Sequence, residues 1–83
     1  MIGDEAFKTT HNVSLGTAVD IARLGQAGRT FEGYGEDPLL SGALAGAQID
    51  AIQQHPVVAD IKHYNVYTQE TNRLSGGNAV VDE

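Results

Sequence analysis

The stretch Asp37–Ile61, DPLLSGALAGAQIDAIQQHPVVADI, decides the fold class of this chain. Asp37 offers a short side-chain acceptor suited to a helix N-cap, and Pro38 suits the first helical position, where a missing N–H costs nothing. Leu40, Leu44, Ala47 and Ala51 recur at helical spacing and predict one apolar stripe, widened by Leu39, Ala43 and Ile52. The helix should stop near His55-Pro56, because proline restricts the residue before it and cannot extend the hydrogen-bond ladder. Val57-Val58-Ala59-Asp60-Ile61 is then a short β-branched run, read as a strand.

Upstream, from Asn12 to Ala22, Val13, Leu15, Val19 and Ile21 fall at odd positions with Asn12, Ser14 and Asp20 between them. That pattern, interrupted by Gly16, predicts a strand or two short extended pieces. Between this strand and the helix, Gly25, Gly28, Gly33 and Gly35 are interleaved with Arg29, Phe31, Glu32 and Tyr34, which predicts a loop carrying the side chains of a site. Strand, loop, helix, strand is a βαβ unit, so the expectation is an α/β fold with a parallel pair, a right-handed crossover and both strands buried under helices. Ile2, Ala6 and Phe7 suggest a short, poorly capped helix at the start. After Tyr64 the chain turns polar through Ser75-Gly76-Gly77-Asn78, a long loop, and Val80-Val81 reads as an element cut off by the terminus.

Eighty-three residues are about a third of the ~250 of a (β/α)₈ barrel, so the chain is expected to be a single partial domain over 1–83. Five Lys and Arg against eleven Asp and Glu leave a net charge of −6, which argues against nucleic acid and anionic membranes as partners, since both require cationic neutralisation of phosphates. Without cysteine there is neither a disulfide framework nor a thiolate nucleophile. No apolar stretch approaches the ~20 residues of a membrane span, and Met1 to Thr10 carries Asp4, Glu5 and Lys8 where a signal peptide would be apolar. The expectation is a chain without a leader, its compartment open.

In parallel α/β folds functional groups collect at the carboxyl ends of strands, and Lys62-His63 stands at such an end. The pair reads either as two donors to an oxygen-rich ligand or as a solvated lysine beside a histidine held by a backbone carbonyl. Arg29 and Glu32 are spaced to form a bidentate pair or to share a ligand hydroxyl. Glu36 and Asp37 flank a helix start and read as mainly structural, while Asp50 and Gln54 form a solvated helix face. His11, His55 and His63 have no ligand-spaced partners, so no metal site is expected. Gly42 and Gly46 fit close helix packing.

Taken together, Gly28-Arg29-Thr30-Phe31-Glu32, Gly35-Glu36-Asp37-Pro38, Lys62-His63-Tyr64 and Gln69-Glu70-Thr71-Asn72-Arg73 resemble the N-terminal domain of glycoside hydrolase family 3, the bacterial and fungal β-glucosidases. The resemblance implies two to three βα units, an incomplete segment of a TIM-type (β/α)₈ barrel, and retaining hydrolysis of terminal β-linked glucose through an aspartate nucleophile, with no cofactor. It implies that Arg29 binds sugar, that Lys62 and His63 hold hydroxyls of the glucose in the −1 subsite, and that Glu32 orients Arg29. Charge-assisted donors of this kind strengthen as the ring flattens toward an oxocarbenium-like transition state.

Two stretches depart from the family pattern: Leu24-Gly25-Gln26-Ala27 replaces an Asp-Pro turn and an arginine, and Tyr67-Thr68 stands where relatives usually carry asparagines. The family nucleophile lies in a later Ser-Asp-aromatic motif that does not occur here, and the acid/base carboxylate lies beyond the barrel in most members. Three readings follow: a β-glucosidase acting on a β-glucoside or oligosaccharide; a sugar-contacting fragment without the catalytic pair; and a minimal enzyme recruiting two of Glu32, Glu36, Asp60 and Glu70. An arc of two to three units also leaves open sheet edges, so self-association is expected.

Overall fold

The computed structural model describes residues 1–64, 66–77 and 80. Its regular structure is mixed α/β: α1 (Ile2–Lys8), β1 (Val13–Ala18), a 3₁₀ turn (Thr30–Glu32), α2 (Pro38–Gln53) and β2 (Val58–Lys62), with β1 and β2 paired in parallel. The element expected at Val80-Val81 and the loop residue Asn78 lie at or outside the edge of the described residues.

Both ends of α2 follow from the residues that flank it. Asp37 Oδ1 accepts from the N–H groups of Leu39 at 2.8 Å and Leu40 at 3.2 Å, and the helix closes on Gln54, two positions short of Pro56. The buried face, however, is not the expected leucine stripe. Ser41, Ala45 and Ile52 are buried, with Gln48 and Ile49 half-buried beside them, whereas Leu39, Leu40 and Leu44 are exposed. The helix is apolar nearly all round, so periodicity alone did not choose a face.

The two strands are also less covered than a βαβ unit between helices would be. Val13, Leu15, Val58 and Ile61 remain exposed, because α1 and α2 provide the only helical cover among the described residues. The core is correspondingly small, built on Ala18, Ala45, Ile52 and Val57.

Close helix packing falls at Gly3 rather than at the expected glycine pair. A Cβ at Gly3 would lie 2.8 Å from the Ile52 carbonyl oxygen, while Cβ atoms at Gly42 and Gly46 would meet nothing within 4 Å. Phe7 stacks on His55 with ring centroids 6.1 Å apart, closing the end of the α1–α2 contact.

The feature that positions the site is an irregularity in β1. Val13, Ser14 and Leu15 pair with Val58, Ala59 and Asp60, but Ala18 pairs with Lys62, so β1 spends one more residue than β2 between the last two pairs. Gly16 sits within this bulge at φ 138°, a conformation open essentially to glycine. The extra residue draws Asp20 one position back along β2, toward His63.

Candidate functional site

At the carboxyl end of the strands, the Val19 N–H donates to the Lys62 carbonyl at 2.7 Å, and the next residue of each strand's continuation carries chemistry. Asp20 Oδ2 accepts from the His63 backbone N–H at 3.1 Å and lies 2.6 Å from His63 Nδ1; Asp20 Oδ1 accepts from the Tyr67 N–H at 3.1 Å. Burial pushes the Asp20 carboxyl up, but the His63 side-chain bond and the two backbone N–H donors outweigh it and hold the group below its ordinary value. An ionised carboxylate only accepts, so Nδ1 carries the proton and Nε2 is the nitrogen left to meet a ligand. His63 is thus anchored by a carboxylate and not by a backbone carbonyl.

The second half of the site comes from the glycine-rich loop. The 3₁₀ turn brings Glu32 back beside Arg29, whose Nε donates to Oε1 at 2.6 Å and whose Nη2 donates to Oε2 at 3.0 Å, a bidentate pair. Lys62 Nζ, from the last residue of β2, lies 3.1 Å from Glu32 Oε2. The Arg29 hydrogen bonds, followed by that from Lys62, draw the Glu32 carboxyl down to about 2, and Glu32 in turn raises the Arg29 guanidinium further above its ordinary value.

Tyr67 joins the two halves. Its ring centroid is 4.4 Å from that of His63, and the guanidinium carbons of Arg29 and Arg73 lie 5.5 and 5.6 Å from it. Its hydroxyl donates to Glu70, whose other oxygen accepts from Arg73 at 3.2 Å. The Tyr67 bond, ahead of Arg73 and Arg29, holds Glu70 below its ordinary value. A cavity of about 30 Å³, room for about one water, lies among Asp20, Arg29, Glu32, His63, Tyr67 and Glu70.

Arg29 and Glu32 therefore stand together with Lys62 and His63, which follow them by about thirty positions in sequence, and Glu70 joins them. Glu36 and Asp60 are exposed and do not line the cavity. Chemically the cluster is a set of cationic and imidazole donors fixed by carboxylates. Glu32 and Glu70 are held ionised by their neighbours, the reverse of what a general acid near neutral pH needs. Asp20 carries no motif of its own in the sequence, though it follows β1 as Lys62-His63 ends β2, and Tyr67, a departure from the family pattern, links the donors.

The chain matches the family model described as the glycosyl hydrolase family 3 N-terminal domain over residues 1–83. It is 44% identical over 72 residues to a protein named probable beta-glucosidase M from Neosartorya fischeri, covering 86% of this chain and 9% of that protein. To the probable beta-glucosidase K of Emericella nidulans it is 40% identical over 83 residues, 100% of this chain and 10% of the relative. The beta-glucosidase A of Butyrivibrio fibrisolvens is 39% identical over 71 residues, with 86% and 9% covered. The chain thus spans about a tenth of the length of these curated relatives. No solved structure matches it significantly.

Proposed function

The chain belongs to the glycosyl hydrolase family 3 N-terminal domain family, and from that premise we propose that it is the sugar-contacting segment of a β-glucosidase whose catalytic carboxyl pair lies in other sequence. The observation that carries this reading is the shared carboxylate of Glu32, which orients Arg29 and Lys62 together while Asp20 orients His63. Donors fixed in advance lose little freedom when a hydroxyl-rich, uncharged ligand arrives. Arg29 and Lys62 donate to sugar hydroxyls, His63 meets one through Nε2, and the substrate is a terminal β-linked glucose. Retaining hydrolysis needs two carboxyl groups about 5–5.5 Å apart, one of them protonated; Glu32, drawn down to about 2, suits neither proton donation nor release from its two cations.

The segment is two to three βα units of a (β/α)₈ barrel, and the uncovered strand faces are those that neighbouring units would cover. Val13, Leu15, Val58 and Ile61 leave these faces apolar and exposed, so in isolation two copies associate through them. Sedimentation equilibrium should give a mass above the monomer that falls on dilution; a monomer at every concentration would end this part of the proposal.

The test of function is nitrophenol release from a nitrophenyl β-glucoside by the purified chain, with Arg29→Ala and Lys62→Ala alongside. The expected result is no turnover above that of the variants. Turnover that both substitutions abolish would replace the proposal with a minimal enzyme drawing on its own acids.

A further inference from the structure

We propose that Tyr67 is a positioning residue that sets the Arg29 guanidinium and the His63 imidazole from a single ring, and so couples the two halves of the cluster. Its value to sugar binding rests on the reading of Arg29 and His63 as sugar contacts; the positioning itself does not.

The backbone N–H, the ring and the hydroxyl of Tyr67 are all engaged. The backbone N–H donates to Asp20, the carboxylate that anchors His63, and the ring lies tilted at 40° against the imidazole. The guanidinium groups of Arg29 and Arg73 both lie over the ring, where its quadrupole attracts cations. The hydroxyl donates to Glu70, the carboxylate that pairs with Arg73 and lies 3.9 Å from Arg29 Nη1. Two like charges are thereby held near one aromatic ring with an acid to balance them.

A ring occupied in this way does not serve as a stacking platform for a sugar, which leaves orientation as its work. Rigid, with two side-chain torsions, it orders both neighbours at small entropic cost. The residue before it supports the same view. Val66 has φ 53°, a left-handed conformation that β-branched residues avoid, so the loop is held against its local preference at the point where it delivers the ring.

The experiment compares Tyr67→Leu, which removes the ring, with Tyr67→Phe, which removes only the hydroxyl, in the full chain by NMR. In Tyr67→Leu the Arg29 Nε–H and His63 imidazole nitrogen resonances should both move, and affinity for methyl β-glucoside should fall roughly two- to fivefold. In Tyr67→Phe those resonances should stay, while the Glu70 carboxyl titrates closer to its ordinary value because its strongest donor is gone. A folded Tyr67→Leu chain with both resonances at their original positions would overturn the proposal. Should Tyr67→Leu not fold, the parent chain decides: nuclear Overhauser contacts from the Tyr67 ring to both the Arg29 side chain and the His63 imidazole are expected, and their absence would overturn the proposal. If the parent chain shows no sugar affinity yet Tyr67→Leu moves both resonances, positioning stands and the sugar reading fails.

Discussion

Lys62 Nζ lies 3.1 Å from Glu32 Oε2, the same oxygen that accepts from Arg29 Nη2 at 3.0 Å. One carboxylate thus ties the end of β2 to the loop that follows β1, and orients two donors that the sequence separates by the whole of α2. Glu32→Gln keeps the shape but neutralises the group, and should weaken binding of methyl β-glucoside roughly tenfold by calorimetric titration. Glu36→Gln, at an exposed position outside the cluster, should leave affinity unchanged.

The same pair sets a pH dependence. Glu32 has a folded value of about 2 against an ordinary 4.5, so its folded-state pKa is depressed. Its contribution to stability is then complete above pH 4.5 and is lost as pH falls from 4.5 through 2. Urea midpoints measured across that window should fall more steeply for the parent chain than for Glu32→Gln. Equal slopes would show that Glu32 is not held by Arg29 and Lys62 in solution.

Asp20→Asn tests the anchor of His63. An amide no longer presents an ionised oxygen to Nδ1, so the imidazole loses its fixed tautomer. The nitrogen spectrum of His63 should change from one dominated by protonated Nδ1 to a mixture, with His11 and His55 unaffected as internal controls.

Gly16→Ala tests the bulge that brings Asp20 within reach of His63. At φ 138° a side chain is strained whatever the surrounding space, and the space here is ordinary, the nearest atom to a new Cβ being Lys62 Cε at 3.6 Å. A loss of about 1–3 kcal/mol in unfolding free energy by urea denaturation is expected, with the His63 resonances displaced as the register shifts.

How much of this was legible depends on whether the information is local. The bounds of α2 were readable because Asp37, Pro38 and Pro56 act on their own backbone and neighbours. The parallel pairing of β1 with β2 followed from the order of elements. Which face of α2 is buried was not readable, because leucines at 40 and 44 and small residues at 41 and 45 make equally regular stripes and only tertiary packing separates them. Arg29 with Glu32 was visible as a local spacing, whereas Lys62 with Glu32 is a long-range contact across α2, and His63 with Asp20 depends on a one-residue bulge that nothing but Gly16 hints at. Tyr67 broke the familiar pattern, and its ring contacts are long-range and leave no periodic trace.

The most direct test of the central claim is a titration of the chain with methyl β-glucoside, followed through the Arg29 Nε–H and His63 ring resonances, beside Lys62→Ala. Saturable displacement of both resonances in the parent chain, lost or weakened at least tenfold in Lys62→Ala, is the result expected of a preorganised sugar-contacting cluster. Resonances that do not move, or that move equally in Lys62→Ala, would contradict it.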